Sequence, residues 1–193
     1  GRYGVGSGIV FQRQVFHGSR FGAGEIGHTM LYCKDDHSGC EDGVNRTLED
    51  LISEKALLHQ AQTQVADHPD SLLAALWDDS GFERKIDALI EAGRKEDPYA
   101  MEILTTASRY LGIAIANLVN ILNPERVLLG GVFYQGKDLF LPTVRDMVSR
   151  YVVGGLGDTV VIEGTDFGWR AGVIGACSLA LINLFYINSE EKH

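Results

Sequence analysis

The sequence predicts an α/β layered domain, and three observations carry the prediction. Short runs rich in Val, Ile and Leu appear at both ends of the chain, at Ile9–Val10, Val127–Leu129 and Val160–Ile162. Between them the apolar residues recur every three or four positions, the spacing of amphipathic helices. The order that results is hairpin strands, helices, strand, helix, strand, helix, which is how helices come to pack on a sheet. There is no internal repeat and no low-complexity tract.

Residues 4 to 16 read as a strand, a polar turn at Gln12 to Gln14, and a second strand. No partner strand precedes this element, so residues before Gly1 are expected to complete it. A short apolar stretch, Met30 to Tyr32, leads into the polar loop Cys33 to Thr47. From Leu48 a helical stripe runs through Leu51, Ile52, Leu58 and Ala61 until Asp67-His68-Pro69-Asp70 breaks it. Ser71 caps a helix over Leu72 to Trp77, and Gly81 separates it from another over Glu83 to Ala92. Asp97-Pro98 is a strong helix start, with Asp as cap and Pro in the first turn.

Met101, Leu104, Ala107, Leu111, Ile115, Leu118 and Leu122 then define one long amphipathic helix ending at Asn123-Pro124. Arg126 to Leu129 reads as a buried strand closed by Gly130-Gly131. A helix is expected over Leu141 to Tyr151 with Pro142 in its first turn, a strand over Thr159 to Glu163, and a last helix over Arg170 to Phe185. The run Ala171 to Ile187 is the most apolar, but Gly172, Gly175, Ser178 and Asn183 interrupt it. Spanning a bilayer takes about 20 clean apolar residues, so the run reads as a buried core helix and no membrane partner is expected.

The 193 residues suit one domain with a helical insert, and 45% hydrophobic content suffices for a core. A net charge of −9 repels phosphate backbones, which argues against direct nucleic-acid binding by this chain. Cys33, Cys40 and Cys177 make no disulfide framework, and so low a count fits a reducing, cytoplasmic setting.

The densest chemistry lies in Gly22-Ala23-Gly24-Glu25-Ile26-Gly27-His28-Thr29. Glu25 can accept two hydrogen bonds from vicinal hydroxyls, while neutral His28 donates one and accepts another or ligates a metal. Small neighbours let backbone and polar tips crowd round a compact ligand. This chemistry suits a sugar better than an anion; a surface turn with two solvated side chains is the bland alternative. The spacing Gly4, Gly6, Gly8 fits neither the dinucleotide fingerprint nor the phosphate-binding P-loop. Either that backbone approaches a phosphate or sugar, or the hairpin merely needs small residues. His28, Cys33, His37 and Cys40 could together hold zinc, yet Asp35, Asp36, Ser38 and Asp42 make the same loop look like a solvated turn.

These residues resemble the ROK family (repressors, open reading frames and sugar kinases) across its C-terminal half. Gly4 to Val10 resembles its glycine-rich hairpin and Gly24-Glu25-Ile26-Gly27-His28 its E-x-G-H sugar motif. Ile121-Leu122-Asn123-Pro124-Glu125 with Val127 to Gly131 resembles the end of its long helix and the following strand. Arg170 to Ala176 is similar to its last helix. The resemblance implies an actin-like, ribonuclease-H-like fold, with residues 1–193 as one sugar-binding, dimerising domain. It also implies sugar contacts at Glu25, His28 and Glu49, although an acidic residue in a first helical turn is favoured by the helix dipole in any case. Gly6, Gly8, Gly130 and Gly131 would border a cofactor; tight turns explain the same glycines without one.

The family's cysteine-rich zinc motif is altered. One register, preferred because it runs without a gap into the helix at Leu48, sets Cys40, Asp42 and Thr47 in the three cysteine positions. Another sets Cys33, Asp35 and Cys40 there, with Asp42 as the last carboxylate. Both damage the cage, so no metal site is assigned. The family's general base has no match here, nor has its first phosphate motif. The first reading is therefore the effector-binding part of a sugar-responsive repressor, taking a monosaccharide or sugar phosphate and reaching DNA only through an upstream domain. The insert from about Glu54 to Pro98 and the altered metal loop support it. The second is a sugar kinase using ATP and Mg²⁺, and the third a dimerising scaffold with a decayed site. A homodimer or homotetramer is expected.

Overall fold

The computed structural model describes residues 4–32, 46–77, 82–165 and 167–185. Strands β1 (Val10–Phe11) and β2 (Gln14–Val15) form the antiparallel hairpin, with Val10 opposite Val15. Its turn is two residues long, and Gln12 and Arg13 both take positive φ, 50° and 66°. Left-handed φ at both central positions matches the twist of paired strands. Strand β3 (Met30–Tyr32) pairs antiparallel with β4 (Arg46–Thr47).

The helical stripe expected from Leu48 to Ala61 is two helices. Helix α1 (Leu48–Ile52) stops at Ser53, whose ψ of 154° is extended, and α2 (Glu54–Asp67) starts there. The Ser53 hydroxyl accepts from the Ala56 N–H at 3.3 Å. One residue thus ends a helix and caps the next, which leaves the apolar spacing almost undisturbed. Helices α3 (Leu72–Leu76), capped by Ser71, and α4 (Phe82–Arg94) follow. Gly81 lies outside the described residues.

Helix α5 (Pro98–Leu122) is the pillar of the core. Leu104, Leu111, Ile115 and Val119 on it are all within 5% of complete burial. Burying each such side chain contributes about 1.5–3 kcal/mol. Its end is set by Asn123, which turns left-handed at φ 44° ahead of Pro124. Strand β5 (Arg126–Leu129) comes next, then α6 (Val132–Gln135), α7 (Lys137–Tyr151) and α8 (Leu156–Thr159). Strand β6 (Val161–Gly164) pairs parallel to β5 with Val127 opposite Ile162. Helix α7 lies tightly along α5. A side chain on Gly112 would stand 2.6 Å from Met147 Cβ, so the absent Cβ is what permits the approach. Arg94 joins α4 to α7 through a forked bond to Asp138, from Nε at 2.9 Å and Nη2 at 3.0 Å.

Three further expectations need correction. Helix α7 begins four residues before Leu141: the Leu139 and Phe140 N–H groups both donate to the Gly136 carbonyl, and Phe140 is fully buried. Pro142 sits inside the helix, where its missing N–H removes only the bond to the Asp138 carbonyl. Strand β6 starts at Val161 rather than Thr159, because Thr159 closes a helical turn by donating to the Leu156 carbonyl at 2.9 Å. Helix α9 (Ala171–Phe185) forms where expected but is not a core helix. Val173 is 62% exposed and Leu184 65%. Apolar composition reports a tendency to be buried, not a partner to be buried against. Among the described residues no helix is long and apolar enough to cross a membrane.

Asp97 pins this arrangement. The residue is 4% exposed; one carboxylate oxygen accepts from the Tyr99 and Ala100 N–H groups, at 3.0 and 2.9 Å. The other accepts from the Leu73 N–H at 3.0 Å, which ties α3 to the start of α5. Replacing Asp97 by Ala is expected to lose about 2–3 kcal/mol, a lost cap plus an orphaned buried donor. Asn keeps a single acceptor and should lose less. Urea unfolding of the two variants checks the order.

Candidate functional site

The E-x-x-H segment forms a 3₁₀ turn, Ile26–His28, with Glu25 as the residue before it. The His28 N–H donates to the Glu25 carbonyl at 3.2 Å, and the Thr29 hydroxyl donates to the Ile26 carbonyl at 2.6 Å. This tight turn sets the two candidate side chains beside each other. His28 Nε2 lies 3.9 Å from Glu25 Oε2, and both side chains are about two-thirds exposed. Both are therefore free to meet hydroxyl groups from solution, as acceptor and as donor.

Behind the turn runs the segment Gly4–Ser7. The Ser7 N–H and hydroxyl both donate to the Gly24 carbonyl, at 2.8 and 2.9 Å. A Cβ on Gly24 would stand 2.0 Å from the Ser7 carbonyl oxygen, and one on Gly27 2.0 Å from that of Val5. Backbone here lies on backbone, at a distance only glycine allows. Gly24 also takes φ +93°. The glycines before Glu25 and His28 are thus packing residues.

Glu49 stands in the first turn of α1, half-buried. Its Oε2 accepts from the Val5 N–H at 2.9 Å. The expected sugar ligand therefore already holds the glycine segment, a bond with no signature in the sequence. The helix that carries it is capped by a reciprocal pair. The Thr47 N–H and hydroxyl donate to Asp50 Oδ2 at 2.9 and 2.7 Å, and the Asp50 N–H donates back to the Thr47 hydroxyl at 3.4 Å. The T-x-x-D spacing was a legible sign of this box. Those two bonds from Thr47 hold the Asp50 carboxyl below its ordinary value, with Arg46 and His28 adding to the effect.

The cap bears on the metal question. In the preferred register Thr47 replaces a cysteine, and its oxygen is already committed to Asp50. It does not fit a zinc ligand. Among the described residues no group of three His, Cys, Asp or Glu side chains could hold a metal. Cys33, Asp35, Asp36, His37, Ser38, Cys40 and Asp42 lie outside the described residues.

Gly4 to Ser7 also line a cleft of about 280 Å³. Leu129 to Phe133, Leu48, Leu111 and Ile115 share that lining. Of the expected cofactor glycines, Gly6, Gly130 and Gly131 line it and Gly8 does not. Gly131 takes φ 62°, ψ −139°, which other residues reach only with strain, and nothing lies within 4 Å of the place for its Cβ. Gly6 is equally open. Glu25, His28 and Glu49 are not among the cleft's lining residues. Ile26, between Glu25 and His28, does line it, so the turn borders the cleft while its two polar side chains stay outside the lining.

The ROK family profile matches residues 2–182, and the chain belongs to the ROK family. It is 33% identical over 172 residues to a glucokinase of Halalkalibacterium halodurans, covering 89% of this chain and 52% of that protein. It is 26% identical to the DNA-binding transcriptional repressor Mlc of Escherichia coli, covering 90% of this chain and 41% of the repressor. Among solved structures it matches a ROK glucokinase from Streptomyces griseus in complex with glucose and AMPPNP. That match has a TM-score of 0.72 and 27% identity, over 91% of this chain and 57% of the glucokinase. The chain spans about half the length of the curated relatives it matches. Its fold is that of ROK family structures, α/β and mostly helical with small sheets.

Two expectations follow. Ala at Gly24 or Gly27 should lower the melting temperature sharply or abolish soluble expression, whereas Ala at Gly6 should leave it nearly unchanged; thermal unfolding separates them. Asp50, depressed in the fold, stabilises above its unfolded value of about 4 and loses that contribution as pH falls through the folded value. The stability difference between wild type and Asp50→Asn should therefore be present at about pH 6 and shrink towards pH 3, measured by denaturant midpoints.

Proposed function

We propose that the chain is the sugar-sensing, effector-binding half of a ROK-type transcriptional regulator of carbohydrate metabolism. The observation that carries the sugar reading is the exposed Glu25–His28 pair, held 3.9 Å apart on a turn that packs on glycine backbone. A carboxylate and an imidazole side by side offer an acceptor and a donor to neighbouring hydroxyls of one monosaccharide. Glu49 supplies a further acceptor from α1. The regulator reading draws on the likeness to the Escherichia coli repressor and on Thr47, which caps a helix at a position where the metal motif would want a thiolate. In the whole protein, a second half and a DNA-binding domain would accompany this chain, and the assembly would be a homodimer or homotetramer. DNA is held away from this acidic surface.

Sugar must bind better to the conformer with low operator affinity, since a ligand with equal affinity for both shifts nothing. The likeness to a glucokinase at 33% identity favours a second reading, a sugar kinase. There Gly6, Gly130 and Gly131 would border ATP and its Mg²⁺, which would supply and activate the phosphoryl group.

His28→Ala and Glu25→Ala in the complete protein should each weaken monosaccharide binding by about 10–100-fold, the worth of hydrogen bonds involving a charged group. Calorimetry checks this, and unchanged affinity in both rejects the site. An operator titration with and without hexoses, run beside an ATP-turnover assay, decides between the readings. Operator release by sugar supports the regulator; sugar-dependent ATP turnover without operator binding establishes the kinase.

A further inference from the structure

We propose that Gly4 and the Val5 N–H are positioning elements that aim the Glu49 carboxylate at the sugar. The inference rests on the sugar reading and extends it to a part of the chain that touches no sugar. Glu49 Oε2 accepts from the Val5 N–H at 2.9 Å, and the place a Cβ would take on Gly4 is 2.8 Å from that same oxygen. A residue with a side chain at position 4 would drive the carboxylate off its donor. The bond fixes one oxygen and leaves Oε1 to receive a hydroxyl.

The same short segment is tied to the turn beside each of the other two ligands. Ser7 bonds the carbonyl of Gly24, next to Glu25, and the Val5 carbonyl packs on Gly27, next to His28. Val5 to Ser7 thus sets the spacing between Glu49 on α1 and the Glu25–His28 pair. Side chains held in place before the ligand arrives lose less freedom on binding.

Gly4 separates positioning from folding better than its neighbours do. The three atoms nearest its missing Cβ all belong to the flexible end of Glu49. Gly4→Ala should fold, unlike Ala at Gly24 or Gly27, where the obstacle is backbone. Glu49→Gln is the companion variant, because its amide oxygen can still accept from Val5 while the charge is gone.

The test is a double-mutant cycle in the complete protein, with calorimetric titration by glucose, mannose and xylose, and melting temperatures alongside. For whichever sugar binds, Gly4→Ala should weaken binding about tenfold, the scale of one hydrogen bond to a charged group. It should have no further effect once Glu49 is Ala, because its action passes through that carboxylate. Glu49→Gln should keep the melting temperature and still weaken the sugar. Sugar binding that Gly4→Ala leaves unchanged, or that it weakens equally with and without Glu49, overturns this inference alone. An unsubstituted protein that binds none of the three overturns the sugar reading and this inference together.

Discussion

The burial of one face of α5 is the constraint on which the other elements depend. Helix α1, which carries Glu49, rests on it, and so does α7, through the bare backbone of Gly112. Leu111 and Ile115 of the same helix line the cleft together with Gly4 to Ser7. The start of α5 is fixed by a buried carboxylate rather than by apolar contact. Asp97 spends both oxygens on three backbone N–H groups, two of α5 itself and one of α3. An acidic cap here meets the orphan donors and the positive end of the dipole together.

The glycines sort into two kinds, and the sorting explains how the site is built. Gly24 and Gly27 are filled by carbonyl oxygens of Ser7 and Val5, so they let two backbone segments touch. Gly6 and Gly131 have nothing where a side chain would be and border the cleft. A single segment, Gly4 to Ser7, thus both packs against the Glu25–His28 turn and lines the cleft. Glu49 holds that segment through the Val5 N–H. Nothing about its position in a first helical turn foretold this, because the dipole favours an acidic residue there regardless of its partner.

Much of the fold was legible because the governing interactions are local. Asp97-Pro98 and Asn123-Pro124 bracket α5 as read, and Ser71 caps α3 through the Ala74 N–H. The hairpin forms with a shorter turn than read, since Gln14 pairs with Phe11, and β5 stands at Arg126–Leu129 but is not the buried strand expected, Leu128 being 57% exposed. Misreadings arose where one residue or a distant partner decides. Ser53 breaks a helix without breaking its apolar stripe, and Gly136 starts α7 ahead of a proline that looked like its beginning. The apolar run after Arg170 does form a helix, but sequence spacing carries no record of what lies against it. The candidate site was legible only as chemistry: a carboxylate and an imidazole in a glycine-rich turn. Their backing by Val5 and Ser7 involves backbone atoms, which every residue has and no motif reveals.

We propose that Glu25, His28 and Glu49 form one sugar site backed by the glycine segment. The decisive measurement is a crystal structure of the complete protein with its monosaccharide bound. Sugar hydroxyls are expected at about 2.6–3.2 Å from the Glu25 and Glu49 carboxylates and the His28 ring. Glu49 should still accept from the Val5 N–H in that complex. A sugar seated instead in the cleft against Gly130 and Gly131, with the Glu25 and His28 side chains untouched, would contradict it.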